Sequence, residues 1–282
     1  MTDMTDMTDI AAPPVPDRAS TPRVVSSLRA CLLVVEGHWT WYKRNWKATL
    51  VSSVGLPILY LLAMGLGFGS QVHPSAATGG LSYLVYLAPA LLATSAMQGA
   101  AGEATFPVLS GFKWQKTFIG IAATPITPAQ IVGGQMLWMT FRLLLSGAIF
   151  LGVAAAVGAV TGFGVLLSLL FAVLSGLAFG APIVAWAATL KGEGAAFNPL
   201  FRFVVVPMSL FAGAFFPVSQ LPAIVRPIAW ITPVWHGTEL ARAAAFGPMQ
   251  LWPTIGHLAY LFALIAVGVL LSRRTFRSRL AS

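Results

Sequence analysis

Six stretches of this chain, at about 48-69, 81-105, 131-157, 164-190, 199-217 and 254-272, are runs of apolar residues close to the length of a membrane crossing. Spanning about 30 Å of hydrocarbon takes roughly 20 apolar residues as a helix, and in that medium only helices and closed barrels satisfy every backbone group. The runs are continuous rather than alternating, so the period of two that a membrane barrel needs is absent. The predicted fold is all-α and integral to a membrane, with six transmembrane helices, of which the fifth is the least clearly marked.

Composition agrees: 57% of the 282 residues are hydrophobic and 9% charged, too few charges to cover a water-soluble body of this size. The net charge of +9 does not point to nucleic acid, because the basic residues lie between apolar runs rather than on one polar face with stacking aromatics. They sort by side of the membrane instead. With the amino terminus inside, Arg18, Arg23, Arg29, Lys43, Arg44, Lys47, Lys113, Lys116, Lys191, Arg202, Arg273, Arg274, Arg277 and Arg279 fall in cytoplasmic segments, 14 of the 17. Arg226 and Arg242 are left outside and Arg142 within the third span. Both termini are predicted to be cytoplasmic, with 273-282 as a basic tail.

Residues 1-22 repeat Met-Thr-Asp and then turn proline-rich, the composition of a disordered tail, with no basic segment and apolar core of a cleaved signal peptide. The single cysteine, Cys31, excludes an intramolecular disulfide and a metal or redox pair. Over 23-46, Val25, Leu28, Leu32, Val35, Trp39, Tyr42 and Trp46 recur in steps of three and four, one stripe of an amphipathic helix. Such a helix lies flat in the inner headgroup region, or pairs with a coiled-coil partner. The external stretch 218-252 mixes apolar residues with Pro217 just before it and Pro222, Pro227, Pro233 and Pro248 within it, which predicts short helices dipping into the outer leaflet.

Lys113, Trp114, Gln115, Lys116, Thr117, Phe118 and Ile119, followed by Thr124-Pro125, predict a short helix and a proline-rich turn in the cytoplasmic loop. That helix is a handle for a partner or an ordinary basic loop against anionic lipid. No Lys-Ser or Lys-Thr pair follows a glycine in the Walker manner, so the chain is not expected to bind ATP that way. Glu103, near the inner end of the second span, and Arg142 are costly in a bilayer, and such residues line a substrate path or form a contact between helices. His236, Glu239 and Arg242, spaced three apart, predict a hydrogen-bonded cluster or an exit gate; they are too few for a metal site and lack the nucleophile of an enzyme. Gly176 and Gly180 are read as helix packing, with no dimer inferred.

Thr124-Pro125, the run Phe211-Ala-Gly-Ala-Phe215-Phe216-Pro217-Val-Ser-Gln220-Leu-Pro222 and Thr232-Pro-Val-Trp235-His236-Gly237, in this order of elements, resemble the type-2 ABC transporter permeases. The likeness covers about residues 23-275 and is nearest to the branch of nodulation lipo-oligosaccharide exporters and daunorubicin-resistance permeases. It implies that Lys113, Trp114, Lys116, Thr117, Phe118, Thr124 and Pro125 form a coupling helix seated in a separate ABC ATP-binding subunit, present in two copies. It also implies that residues 218-252 are re-entrant helices closing the outer mouth, with Phe215, Phe216, Pro217, Gln220, Pro222, Trp235, His236, Glu239 and Arg242 as an external gate. Glu103 and Arg142 match charged positions of that branch, whereas Ile119 stands where an acidic residue is common.

The function this implies is the permease of an ATP-driven exporter in the bacterial inner membrane, working as a homodimer or beside a related permease. A weakly charged, aromatic path suits an amphipathic drug, lipid or lipid-linked saccharide. No cofactor is expected on this chain, ATP and Mg being held by the partner, and no nucleic acid. Two other readings are an ion-driven secondary transporter, which would need several buried acids where only Glu103 is a candidate, and a lipid-modifying enzyme built on His236 and Glu239.

Overall fold

A computed structural model describes residues 26-67, 69 and 78-281, with the side chains of 48-54 and 66 left out. The tail 1-22 and the start of the amphipathic stripe at Val25 lie outside the described residues. Among those described there is no strand.

The first helix, α1 (Ser27–Tyr60), runs unbroken across the expected boundary at 46/47 and continues as a π-helical segment over Leu61–Gly67. Its buried face is Ala30, Val34 and Tyr42, which packs on α5 (Pro128–Ala156). Most of the apolar stripe faces away, with Leu28 67% exposed and Leu32, Trp39 and Trp46 also exposed. Between these two helices come α2 (Tyr83–Ala104), α3 (Phe106–Phe112) and α4 (Thr117–Ala122). Helix α2 breaks at Thr105 and Pro107 restarts the chain as α3, since proline suits a first turn, where its missing N–H has no partner to lose. The expected short helix from Lys113 is shifted: residues 113-116 form a turn, closed by Lys116 in the left-handed region at φ 54°, and α4 begins only at Thr117.

Thr127 caps α5 in a reciprocal box: its hydroxyl accepts from the Gln130 N–H at 3.4 Å, and Gln130 Oε1 accepts from the Thr127 N–H at 2.8 Å. Helix α6 (Gly164–Ala187) lies at the centre, against α2, α5, α10 (Pro233–Phe246) and α11 (Leu251–Leu280). The fifth apolar run is a short composite, α7 (Phe197–Leu200), a π-helical turn over Phe201–Val205 and α8 (Val206–Phe211). A 3₁₀ turn at Val218–Gln220, α9 (Arg226–Ile231) and α10 occupy the expected re-entrant region.

Among the described residues, four helices are long and apolar enough to cross a bilayer: Tyr83–Phe112, Pro128–Ala156, Gly164–Ala187 and Leu251–Leu280. These are the second, third, fourth and sixth expected spans. The first and fifth appear as shorter apolar helices, Gly55–Gly65 and Phe197–Phe211; 15 residues at 1.5 Å rise reach about 22 Å, less than the hydrocarbon thickness. The basic tail is also different from expectation. Helix α11 carries on through Arg273 to Leu280, because Phe276 is fully buried against Phe112 and Phe118, and Arg279 donates to the Ala188 carbonyl at 2.8 Å.

Close helix approach replaces large apolar side chains along much of this core. A Cβ on Gly176 would lie 2.8 Å from the Ala96 carbonyl oxygen, and one on Gly180 would lie 2.9 Å from Met139 Sδ, so this pair seats α2 and α5 on α6 within one chain. Gly268 brings α11 onto α6, where an added Cβ would lie 2.6 Å from the Pro182 nitrogen and 2.7 Å from the Ala181 carbonyl carbon. Backbone atoms cannot rotate out of the way. Gly268→Val is expected to lower the detergent-solubilised melting temperature by roughly 2–10 °C. Gly152→Ala, where nothing lies within 4 Å of the added carbon, should leave it unchanged in the same thermal scan.

Candidate functional site: a buried charged junction beside a surface helix

Glu103 ends α2 and Arg142 sits midway along α5, and the two meet. Arg142 Nε donates to Glu103 Oε1 at 2.9 Å, with the side chains 5% and 16% exposed. Trp138 Nε1, one turn before Arg142, donates to the other carboxylate oxygen at 3.2 Å. Gln135 Nε2 donates to the Glu103 backbone carbonyl at 3.3 Å, close to where α2 breaks. The guanidinium lies 4.6 Å from the Tyr42 ring centre, and His38 stacks on Trp138 at 5.5 Å. His38 lies in the part of α1 that precedes the expected first span, and burial pushes its imidazole down to about 4, so it is neutral at pH 7. Of the two roles open to Glu103 and Arg142, the geometry is that of a contact between helices.

The surface loop hangs from this junction. Phe118 is 1% exposed, set edge-on to Phe112 at 5.1 Å and 5.3 Å from Phe276, so it anchors α4 inward and offers nothing to a partner. Trp114, Lys116, Thr117, Ile119, Thr124 and Pro125 are exposed around it. The turn at 113-116 is tied down by Glu193, from the loop after α6. Lys113 pairs with the Glu193 carboxylate, and Trp114 Nε1 donates to its second oxygen at 3.2 Å. The Lys113 hydrogen bond, with that from Trp114, holds the Glu193 carboxyl below its usual range. The only local sequence signal for Glu193 is an acid between two glycines.

At the opposite end, the chain leaves α8 through Gly213, at φ +85°. Tyr83 donates to the Phe215 carbonyl at 3.0 Å and Arg242 Nη2 to the Ala214 carbonyl at 3.1 Å, so the Phe215-Phe216-Pro217 turn is held by α2 and α10. The Arg242 guanidinium also covers the Tyr86 ring at 3.9 Å. Thr232 caps α10, accepting from the Trp235 N–H at 3.3 Å, and the Trp235 side chain packs against Val218 and Leu221. Gln220 closes the 3₁₀ turn and Pro222 starts the next, ahead of Arg226, whose Nε donates to the Leu221 carbonyl at 2.8 Å.

His236, Glu239 and Arg242 do not form the single cluster expected. His236 Nδ1 lies 2.7 Å from His257 Nδ1 and its Nε2 lies 3.0 Å from the Trp230 carbonyl, with Tyr260 stacked on the ring at 4.1 Å. A carbonyl only accepts, so His236 carries its proton on Nε2, and His257 donates from Nδ1. Glu239 lines two cavities with Arg242 and Tyr86, of about 460 and 440 Å³. Burial raises its carboxyl pKa, opposed by the Arg242 charge.

Two layers of buried, hydrogen-bonded polar groups at opposite ends of long apolar helices define the class, a multi-pass helical membrane protein. The sequence model of the family described as ABC-2 type transporter matches residues 29–246, and the chain belongs to that family as a membrane-spanning transport subunit. It is 29% identical to Nodulation protein J of Rhizobium leguminosarum bv. viciae over 256 residues, 88% of this chain and 94% of that protein. It is 30% identical to Nodulation protein J of Rhizobium leguminosarum bv. trifolii over 253 residues, 85% and 92% of the two chains. Against Nodulation protein J of Sinorhizobium fredii it is 30% identical over 217 residues, covering 73% and 81%.

Glu103→Gln leaves Arg142 as a buried cation facing a neutral amide, and should destabilise the chain by about 3–5 kcal/mol. Adding Arg142→Met removes the stranded charge and should recover much of the loss in a double-mutant thermal-stability cycle. The histidine pair has a pH signature. Burial, with the neighbouring His257, lowers His236 to about 4. As pH falls below 6.5 the unfolded chain takes up a proton that folded His236 refuses, so stability is level above 6.5 and drops from there towards pH 4. Melting temperatures measured across that window should fall with acidification, and fall less in His236→Gln.

Proposed function

We propose that this chain is the permease of an ATP-driven exporter of the bacterial inner membrane, moving an amphipathic substrate such as a drug, lipid or lipid-linked saccharide outward. Two copies, or this chain and a related permease, pair around the path, and ATP with Mg is hydrolysed on two separate ATP-binding subunits. The carrying observation is α4 with the turn after it, where exposed Thr117, Ile119, Thr124 and Pro125 surround an inward anchor, Phe118. Phe118 touches α3 and α11, and the Lys113–Glu193 pair joins the preceding turn to the loop after α6. A push on this surface helix therefore reaches α3, α11 and the loop after α6 at once. A coupled ATPase needs states that differ in how they bind such an element.

The same end of the molecule gathers Arg29, Lys113, Lys116, Lys191 and Arg273 to Arg279, which supports a cytoplasmic placement of this end and of both termini. In this reading the two shorter apolar helices complete six spans, the exposed stripe of α1 rests in the inner headgroup layer, and α9 with α10 closes the outer mouth. An ion-driven carrier is less well supported, because both oxygens of Glu103 are engaged by Arg142 and Trp138.

Ile119→Arg places a charge on the docking face while leaving the Phe118 anchor intact. It should insert and melt like the parent but lose at least about tenfold of ATP-dependent transport in proteoliposomes carrying the ATP-binding subunit. Phe118→Ala should instead destabilise the chain by about 3–5 kcal/mol. Undiminished, ATP-dependent transport by Ile119→Arg would refute the coupling role.

A further inference from the structure

A cavity of about 790 Å³ opens behind the surface helix, bounded by α1, the α2–α3 junction, α4 and α5. Its size falls in the range of sites for drug-sized ligands. One wall is aromatic, with Trp41 and Tyr42 from α1, Trp138 from α5 and Trp114 at the rim. Towards α3 and α4 the lining changes to Ser110, Gln115, Thr117 and Thr124, which offer hydroxyl and amide groups without charge. Glu103 and Arg142 reach the cavity, but as a pair whose charges cancel, and His38 beside them is neutral. A charged ligand would lose its hydration here with no free counter-charge to replace it, at a cost of several kcal/mol. An uncharged one would not. Exposed Trp41 and Trp114 at the opening are the amphipathic rings that settle at a headgroup boundary, which gives access from the inner leaflet.

We propose that this cavity is a regulatory binding site for one uncharged, drug-sized amphipath from the inner leaflet, its apolar body against the Trp41–Tyr42–Trp138 wall and its head on the hydroxyl and amide row. The site lies inside a single chain. A ligand seated there bridges α1, α4 and the Glu103–Arg142 junction, so its occupancy changes how freely α4 moves. The second half of this proposal rests on the coupling role of α4 argued above; the binding half does not.

Gly37 on the α1 wall and Gly120 on the α4 wall give a direct test, because a Cβ added to either meets no atom within 4 Å. Gly37→Leu with Gly120→Leu therefore adds bulk at two lining positions where the first added carbon is unobstructed, and unchanged melting and gel-filtration profiles verify the fold. The probe is a monoacylglycerol carrying a diazirine in its chain and an alkyne for enrichment, added to the intact transporter complex in lipid nanodiscs, with adducts mapped by mass spectrometry. Adducts should concentrate on the segments 37-42 and 106-121, and fall about tenfold in the double variant, the loss of about 1.4 kcal/mol of binding. The probe should also change the complex's ATPase rate in the parent and not in the variant. Adducts that persist in the double variant, or that lie on the lipid-facing sides of α6 and α11, would overturn the site. Equal labelling by the anionic diazirine fatty acid would overturn the ligand class. Cavity-specific labelling with no response in an active ATPase would overturn regulation through α4, while an inactive or absent ATPase would instead count against the exporter reading.

Discussion

The Glu103–Arg142 ion pair is the interaction on which the charged end of the molecule depends. Either residue alone within a bilayer costs about 2.5–3.5 kcal/mol on insertion scales, and each is kept by the other. The pair joins α2 to α5 at one register, and Trp138 takes up the second carboxylate oxygen so that no acceptor is left bare. Because Gln135 also holds the Glu103 carbonyl, the last turn of α2 is fixed just where the helix breaks at Thr105. That break sets the direction of α3, and α3 presents Phe112 to Phe118 and Phe276. The position of the surface helix is thus inherited from a charge pair several residues away.

Length and hydropathy made the long spans legible, and the ends of α2, α5 and α6 fall within a few residues of the expected ones. The failures have physical causes. In the fifth run the π-helical turn over Phe201–Val205 and the end of α8 at Phe211 shorten the helix, while the apolar sequence carries on into Phe215 and Phe216 as a turn. Apolarity measures where a segment is stable, and Gly213 decides where the helix stops. At the carboxyl end Arg273, Arg274, Arg277 and Arg279 look like a solvated tail, yet Phe276 among them is fully buried and Leu280 packs on the same core. Long basic side chains can reach the surface from a helix that is packed on its other face.

Site residues were legible as a set and less so as partners. The three-residue spacing of His236, Glu239 and Arg242 is within reach of a neighbour at each step, but each step turns about 60° back around the helix. His236 and Arg242 consequently point about 120° apart, one to His257 and Tyr260 and the other to Tyr86 and Ala214. A cluster inferred from consecutive steps of three holds for two residues and disperses by the third. Glu193 escaped notice for a different reason: its partner Lys113 is 80 positions away, and no local pattern encodes that distance.

Helix α1 reverses the usual reading of an amphipathic pattern. Its buried face follows Ala30, Val34 and Tyr42, with the half-buried ring of His38 at the intervening step of four, and packs where Gly133 and Gly134 remove side chains from α5. Its more apolar stripe is left exposed at Leu28 and Leu32, and Trp39 meets Phe141 of α5 edge-on at 5.7 Å. In water such a face would be the first to be buried against protein. In a membrane, lipid tails compete equally for Leu and Trp, and helices associate instead through small residues and matched polar groups. Glycine and alanine positions, together with the few buried polar side chains, therefore mark the protein contacts here.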